Sequence, residues 1–221
     1  MALSELDARR ERMVERQIAA RGVRDARVLQ AFRDVPRHAF VPPEFAAAAY
    51  DDRALPIAAG QTISQPYVVA LMVEALSLVP GDRVLEVGTG SGYAAAVLSR
   101  LAAEVYTIER HAELADLARA RCAALGYANV QVRVADGTLG WPEAAPFDAI
   151  LVSAGGPRVP STLEAQLAIG GRLVIPVGAG RHSQNLLRVT RTAADQLERK
   201  DIGLVQFVPL VGAEGWGEDP L

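Results

Sequence analysis

The stretch Arg83–Gly92 constrains the fold more than any other part of the chain. It reads Arg-Val-Leu-Glu-Val-Gly-Thr-Gly-Ser-Gly, a short apolar run followed at once by three glycines. The apolar run is typical of a strand buried on both faces of a parallel sheet, and a helix is predicted after the glycines. A strand, a glycine loop and a helix in this order present backbone N–H groups to a ligand. A tight turn without a ligand is the alternative.

The spacing of the glycines distinguishes between nucleotide ligands. Gly88, Gly90 and Gly92 give G-x-G-x-G, whereas a dinucleotide fingerprint is G-x-G-x-x-G. Glu86 precedes them, and its carboxylate would repel a pyrophosphate but attract a cationic amino group. Glu109 ends the next apolar run, where a carboxylate can accept hydrogen bonds from both hydroxyls of a ribose. Together these features predict S-adenosylmethionine, which has a ribose, an amino-acid moiety and no phosphate.

From residue 80 onward, predicted strands and helices alternate, which is the pattern of a doubly wound α/β sheet. Strands are predicted at 83–87, 104–108, 130–134, 147–152 and 172–177, helices at 92–102, 111–125 and 161–168, and two final strands at 186–190 and 204–208. We therefore expect a Rossmann-like, mostly parallel, seven-stranded sheet in a single domain over residues 1–221. Residues 81–221 form the core sheet in this prediction, and residues 1–80 form a helical extension and a loop.

Asp136 and Gly137 follow the third predicted strand. A carboxylate and a closely approaching backbone at that edge of the sheet could bind the adenine end of a nucleotide. A plain Asp-Gly turn without a ligand explains the same residues.

The N-terminal part combines predicted helices with a polar loop. Helices are expected over 4–20, with Ser4 in a capping box, over 25–34 and over 67–78. The stretch 50–66 is rich in Pro and Gly and is predicted to be a loop. Ser64 lies just before the third helix, and its local position favours a role as a helix cap.

Composition excludes several classes of function. The net charge of −3 and the absence of a basic tract argue against a nucleic-acid partner. One cysteine and three scattered histidines argue against a disulfide framework and against a metal site. The sequence shows neither a signal peptide nor an apolar run of membrane-spanning length, so we expect a cytoplasmic protein without a membrane partner. No surplus apolar surface helix stands out, so a monomer is expected.

Four stretches of the chain resemble the protein-L-isoaspartate O-methyltransferase family. They are Gly-Gln-Thr-Ile-Ser-Gln-Pro at 60–66, Val-Leu-Glu-Val-Gly-Thr-Gly-Ser-Gly-Tyr at 84–93, Gly-Gly-Arg-Leu-Val-Ile-Pro-Val-Gly at 170–178 and Phe-Val-Pro-Leu at 207–210. Many methyltransferases share the second stretch, whereas the first and last are much more specific. The resemblance implies a class I methyltransferase fold and methylation of isoaspartyl residues in damaged proteins and peptides, with S-adenosylmethionine as the methyl donor and no metal.

The resemblance also implies roles for individual residues. Ser64 matches the family's active-site serine, which replaces the cap interpretation. The cofactor-binding residues implied are Gly88, Gly90, Gly92, Glu109, Arg110, Asp136, Gly137, Thr62 and Ile63, and the substrate-binding residues are Gln61, Thr62, Ser64, Val208 and Leu210. The chain departs from the family's usual pattern at Ala58-Ala59 and at Ser153–Pro157, which leaves the shape of the peptide pocket open.

Three other functions are compatible with parts of the pattern. A methyltransferase of the same fold could act on a dedicated peptide or a small-molecule carboxylate, since a fold does not fix a substrate. A nicotinamide oxidoreductase is disfavoured by the glycine spacing and by Glu86. A binding module without catalysis is disfavoured by the intact Gln61–Ser64 stretch, for which such a module has no use.

Overall fold

The structure, a computed structural model, describes residues 5–180 and 183–217. The helices are α1 (Glu5–Arg12), α2 (Ala26–Asp34), α3 (Pro66–Leu76), α4 (Tyr93–Ser99), α5 (Ala112–Ala124) and α6 (Ser161–Ala165). The strands are β1 (Leu55–Pro56), β2 (Thr62–Ile63), β3 (Arg83–Val87), β4 (Glu104–Glu109), β5 (Val130–Val134), β6 (Phe147–Val152), β7 (Leu167–Val177), β8 (Gln184–Ala193) and β9 (Gln196–Val205). A π-helix over Met13–Ile18 and a 3-10 turn over Ala19–Arg21 continue α1.

Seven of the strands form one sheet in the order β5-β4-β3-β6-β7-β8-β9. The strands from β5 to β7 pair in parallel, and β8 runs antiparallel to both of its neighbours. The mostly parallel, seven-stranded sheet predicted from the sequence is therefore confirmed. The order reverses at β3, because the chain adds β4 and β5 on one side of it and β6 on the other.

Alternation along β3 places its side chains on both faces of the sheet. Val84 belongs to the core cluster that includes residues of α2, α3 and α4, whereas Leu85 and Val87 belong to the cluster on the other face. Both clusters consist of buried apolar side chains, which accounts for the nearly continuous apolar run of this strand. Because side chains alternate, Glu86 points to the same face as Val84.

Several elements have other bounds in the structure than the sequence predicted; β7, for example, begins at Leu167 instead of residue 172. The last strand, predicted at 204–208, lies at Gln196–Val205, because its register is set by the hairpin with β8. The helix predicted at 161–168 ends at Ala165, since β7 already begins at Leu167. The first helix changes to π-helix and 3-10 geometry before it ends at Gly22, and its predicted cap, Ser4, lies outside the described residues.

Within residues 5–180 and 183–217, no helix is long and apolar enough to cross a membrane. The same part of the chain holds no group of three or more His, Cys, Asp or Glu side chains placed to bind a metal ion.

Candidate active site

A deep cleft opens at the carboxyl end of β3, where the strand order of the sheet reverses. Ligands of open α/β sheets bind in this place. The cleft encloses about 990 Å³ of empty space, solvent at its mouth included. Its walls contain eleven of the residues predicted to form the site: Gln61, Thr62, Ile63, Ser64, Gly88, Gly90, Glu109, Arg110, Gly137, Val208 and Leu210. The cleft does not include Gly92 or Asp136.

The glycine loop after β3 forms the floor of the cleft. Gly88 and Gly90 have φ angles of 93° and 52°, which lie in the left-handed region that favours glycine. The N–H of Gly88 donates to the carbonyl of Ile108, with an N···O distance of 2.8 Å, so the loop is held against the end of β4. This conformation brings backbone close to any ligand in the cleft.

Gly92 has a different position from the other two glycines. It precedes α4 with a φ angle of 88°, and a Cβ added to it would lie 3.2 Å from the Cβ of Ala118 in α5. This glycine therefore allows α4 and α5 to approach each other and does not line the cleft.

Glu109 at the end of β4 has its carboxylate fixed by two backbone groups. Oε2 accepts a hydrogen bond of 2.8 Å from the N–H of Gly90, and Oε1 accepts one of 3.0 Å from the N–H of His111. Each carboxylate oxygen can accept a second hydrogen bond. The side chain thus presents two oriented acceptors to the cleft, as the two hydroxyls of a ribose require.

Glu86 is fully buried and has one carboxylate oxygen without a partner. Its Oε2 accepts a hydrogen bond of 2.6 Å from the hydroxyl of Thr107, which also lies 2.6 Å from the hydroxyl of Thr89. Its Oε1 is buried with no hydrogen-bond partner in the described part of the chain. Burial raises the pKa of Glu86 to about 8. The carboxylate lines the cleft and would gain from a cationic group placed beside Oε1.

A two-strand ribbon carries the Gln61–Ser64 stretch to the wall of the cleft. β1 and β2 pair antiparallel, and the pair Leu55 and Ile63 buries both apolar side chains. The half-buried Ser64 follows directly, and its hydroxyl makes no hydrogen bond to another residue of the described ranges. The residue before α3 is Gln65, and no side-chain cap is formed there. The structure therefore does not support the cap interpretation of Ser64.

The C-terminal segment forms another wall of the cleft. Val208 and Leu210 pair with Gly155: the N–H of Gly155 donates to the Val208 carbonyl, and the N–H of Leu210 donates to the Gly155 carbonyl, both at 2.8 Å. A Cβ on Gly155 would lie 2.8 Å from the side chain of Gln184. Gly155, within the Ser153–Pro157 stretch, therefore leaves space for the buried side chain of Gln184, which lies where a Cβ would be.

The Asp-Gly pair after β5 divides between two cavities. Gly137 lines the cleft and packs tightly against Val87. Asp136 lines a second cavity, which encloses about 620 Å³ of empty space with open solvent included, together with Arg110, Val211, Gly212 and Trp216. Both of its carboxylate oxygens accept hydrogen bonds from Thr138 or Ala213. Although burial opposes ionisation, these bonds lower the pKa of Asp136 below its ordinary value.

Sequence reasoning missed several residues that line the cleft, among them Thr89, Ser91, His111 and Ser153. Ser153 was singled out only as a departure from the family pattern. It is the first residue after β6, and its N–H donates to the carbonyl of Val87 with an N···O distance of 2.8 Å. Its place after a strand that neighbours β3 could have indicated a cleft residue, because carboxyl ends of parallel strands share one edge of the sheet.

Comparison with known proteins finds a family model and relatives that match nearly the whole chain. The model of the family described as protein-L-isoaspartate (D-aspartate) O-methyltransferase matches residues 8–215. A protein-L-isoaspartate O-methyltransferase of Methylorubrum populi is 64% identical over 212 residues, which cover 95% of this chain and 99% of the relative. Protein-L-isoaspartate O-methyltransferase 1 of Rhodopseudomonas palustris is 61% identical over 95% of this chain and 85% of its own length.

Solved structures show the same relationship. A protein-L-isoaspartate O-methyltransferase superposes with a TM-score of 0.82 at 31% identity, covering 93% of this chain and 67% of that protein. A Plasmodium falciparum protein described as a protein-L-isoaspartate O-methyltransferase, in complex with S-adenosyl-L-homocysteine, superposes with a TM-score of 0.78 at 25% identity. That match covers 90% of this chain and 96% of the other.

Proposed function

Because this chain belongs to the protein-L-isoaspartate (D-aspartate) O-methyltransferase family, we propose that it transfers a methyl group from S-adenosylmethionine to the free carboxylate of L-isoaspartyl residues in damaged proteins. One observation carries the proposal: a single cleft contains two polar groups, Oε1 of Glu86 and the hydroxyl of Ser64, that have no partner among residues 5–180 and 183–217. The first suits the cationic amino group of the cofactor, and the second suits an anionic acceptor of the methyl group.

The residues of the cleft suit the ribose and the amino group of the cofactor. Glu109 would accept the two ribose hydroxyls, because its oxygens are already oriented by backbone N–H groups. Glu86 would pair with the amino group through Oε1, which relieves a buried oxygen without a partner. Gly88 and Gly90 allow close approach of the backbone, and Gly137 lines the same cleft.

Three further residues would complete the cofactor site. Thr62 and Ile63 line the cleft on the wall that would separate cofactor from peptide, and Arg110, which follows Glu109, lines both cavities. We propose these three as cofactor contacts on the basis of their position in the cleft and their match to the family motif.

The reaction needs few catalytic side chains. When bound, the cofactor supplies a methyl group on a sulfonium, which is already strongly electrophilic. The isoaspartyl carboxyl group is already ionised near neutral pH, so no general base is required. The protein has to align the two reactants and exclude water, and alignment can lower the barrier by several kcal/mol.

Ser64 is the proposed catalytic residue. Its hydroxyl would donate a hydrogen bond to one oxygen of the substrate carboxylate and so direct the other oxygen to the methyl group. A charge-assisted hydrogen bond of this kind is about twice as strong as a neutral one. In the described residues the hydroxyl has no competing partner, so it can form this bond without breaking another.

The peptide backbone would bind between Gln61 and the C-terminal segment. One edge of the Val208–Leu210 stretch is already paired with Gly155, so an extended peptide can pair only along the other edge. Pro209 has no N–H and can offer only its carbonyl there. This wall offers few side chains to a bound peptide. It therefore suits an enzyme that recognises the isoaspartyl linkage and makes few contacts with the flanking residues.

A pair of peptides that differ only in one aspartyl or isoaspartyl linkage tests the proposed function. Each is incubated with the protein and S-adenosylmethionine labelled in its methyl group, and base-labile methyl ester is counted. We expect label on the isoaspartyl peptide alone. Equal label on both peptides contradicts the proposal. No label on either, with intact cofactor binding, favours a dedicated substrate.

We further propose that residues 1–221 act as a single domain and as a monomer in the cytoplasm, without nucleic acid as a partner. The net charge of −3 and the lack of a basic tract support the last point, and the one cysteine, Cys122, is a buried free thiol that suits a reducing compartment. Light scattering coupled to size-exclusion chromatography measures the oligomeric state directly. A mass of twice 23.5 kDa would contradict the monomer.

A further inference from the structure

Residues 208–217, here called the strap, connect the peptide-binding wall to the rest of the protein. The strap begins with the pairing of Val208 and Leu210 to Gly155. It then turns back on itself, because the N–H of Trp216 donates to the Leu210 carbonyl with an N···O distance of 2.7 Å. The indole Nε1 of Trp216 also donates to the Gly155 carbonyl, at 2.8 Å. The wall that would contact the peptide therefore depends on how the strap is fastened.

Two carboxylates fix the later part of the strap by hydrogen bonds, here called the two fastenings. The first belongs to Asp136, which lies outside the strap. Its Oδ2 accepts a hydrogen bond of 2.7 Å from the N–H of Ala213, 77 residues away in the sequence. Its Oδ1 accepts bonds from the N–H and the hydroxyl of Thr138, at 2.9 and 2.7 Å. The same hydroxyl accepts a bond of 3.1 Å from the N–H of Glu214. The carboxylate of Asp136 thus binds strap residue Ala213 directly and orients Thr138, which binds the next one.

The close approach of the strap to Asp136 requires a glycine. A Cβ on Gly212 would overlap the carboxyl group of Asp136. The sequence thus leaves space at residue 212 for the carboxylate that binds residue 213.

Glu214 is the second fastening and lies outside both cavities. Its carboxylate accepts hydrogen bonds from the hydroxyl of Ser161 at 3.1 Å, from the N–H of Thr162 at 3.2 Å, and from the hydroxyl of Thr162. These bonds join the strap to the first turn of α6. Because Glu214 lines neither cavity, its removal would disturb the strap without touching a ligand in the cleft.

We propose that Asp136 is a positioning residue that acts on the peptide substrate through the strap, by holding Ala213 and Thr138 so that residues 208–211 form a fixed wall. This inference rests on the proposed function. It assigns Asp136 a task other than the cofactor contact that the sequence suggested. Since Gly137 lines the cofactor cleft, the same short loop would link cofactor binding to the order of the peptide wall.

Two variants of the full chain test the proposal. Asp136→Asn keeps the size of the side chain. It places an NH₂ group, which can only donate, against an N–H or hydroxyl of Thr138 or Ala213 that also donates, so at least one of these hydrogen bonds is lost. Glu214→Ala removes the second fastening from a site remote from the cleft. We expect each variant to raise KM for an isoaspartyl peptide about tenfold at saturating S-adenosylmethionine, with kcat changed less than threefold. Asp116→Asn, an exposed carboxylate of α5, is the matched control and should change neither constant.

Amide hydrogen exchange of the strap supplies a readout that does not depend on turnover. The amides of Ala213 and Trp216 are hydrogen-bonded in the folded protein, and we expect both to exchange at least tenfold faster in Asp136→Asn and in Glu214→Ala. The affinity of Glu214→Ala for S-adenosylhomocysteine, measured by calorimetry, should equal that of the unaltered protein.

The proposal is overturned if Glu214→Ala keeps an unchanged KM for the peptide. It is also overturned if Asp136→Asn weakens binding of S-adenosylhomocysteine but leaves exchange of the strap amides unchanged, because Asp136 would then be a cofactor contact only. If the unaltered protein methylates no isoaspartyl peptide, the proposed function fails. In that case the exchange rates alone decide whether Asp136 and Glu214 hold the strap.

Discussion

Thr107 donates a hydrogen bond of 2.6 Å to one carboxylate oxygen of Glu86, while the other oxygen of Glu86 is buried without a partner in the described ranges. The two residues are neighbours across β3 and β4. This arrangement holds a carboxyl group at a fixed position in the cleft and leaves one of its two oxygens without a hydrogen bond. A buried oxygen without a partner lowers the stability of the folded chain and is available to a ligand in the cleft.

Replacement of Glu86 by Gln should stabilise the protein and weaken cofactor binding. Burial raises the pKa of Glu86 from an ordinary 4.5 to about 8, so folding favours the protonated form. The contribution of the protonated group to the free energy of unfolding is fully present below pH 4.5. It is lost as the pH rises from 4.5 to 8, and the loss reaches up to about 3 kcal/mol at pH 7. Glu86→Gln removes this loss, and we expect a Tm at least about 3 °C higher at pH 7. Calorimetry should show at least tenfold weaker binding of S-adenosylhomocysteine. A lower Tm, or unchanged affinity, would contradict this assignment.

Binding of S-adenosylhomocysteine should release a proton from Glu86 below pH 8. In the free protein the carboxyl group is protonated in this range, because burial raises its pKa to about 8. A cationic amino group beside Oε1 favours the carboxylate, so affinity should increase from pH 6 to pH 8, by up to about tenfold per pH unit. Titration calorimetry in buffers of different ionisation enthalpy measures the released proton. Glu86→Gln serves as the control, since it has no proton to release.

Ser64→Ala should lower kcat for an isoaspartyl peptide by about tenfold to a hundredfold. The loss corresponds to one charge-assisted hydrogen bond that forms with the substrate carboxylate. Affinity for S-adenosylhomocysteine should stay within twofold, because Ser64 is assigned to the substrate. Ser183→Ala, an exposed serine outside the cleft, is the matched control and should retain full activity. Full activity of Ser64→Ala would exclude the proposed role.

The loop before Gln61 contains an alanine in a conformation that favours glycine. Ala59 has a φ angle of 54°, whereas its neighbour Ala58 is helical. Ala59→Gly should therefore stabilise the chain by up to about 1 kcal/mol, since it relieves left-handed strain. Ala58→Gly should destabilise it by about 0.5–1 kcal/mol, because that glycine only adds freedom to the unfolded chain. Urea denaturation measures both changes, and equal effects of the two substitutions would contradict the explanation.

The sequence predicted best where a segment is determined by its own residues. The apolar run and the glycines of Arg83–Gly92 placed β3 at the same boundaries that the structure shows. β9 was misplaced because its position depends on pairing with β8. It is a charged edge strand, and charged edges are typical of natural sheets but resemble loops in the sequence.

The site shows a similar division. Glu86 and Glu109 were predicted from their distance to the glycines, and both line the cleft. Gly92 belongs to the same motif but packs against Ala118, which the spacing alone does not reveal. The hydrogen bond from the N–H of Ala213 to Asp136 joins residues 77 positions apart, and a single sequence gives no indication of such a contact.

The most direct test of repair follows the fate of the substrate linkage. An isoaspartyl peptide is incubated with the enzyme and excess S-adenosylmethionine, and the aspartyl and isoaspartyl forms are separated by chromatography over time. The methyl ester cyclises to a succinimide without help from the protein, with attack of the backbone amide nitrogen on the ester and loss of methanol, and hydrolysis of the succinimide returns part of the material as normal aspartate. We therefore predict steady accumulation of the normal aspartyl peptide, and much less of it with Ser64→Ala. An isoaspartyl peptide that stays unchanged while the protein binds its cofactor would contradict the account.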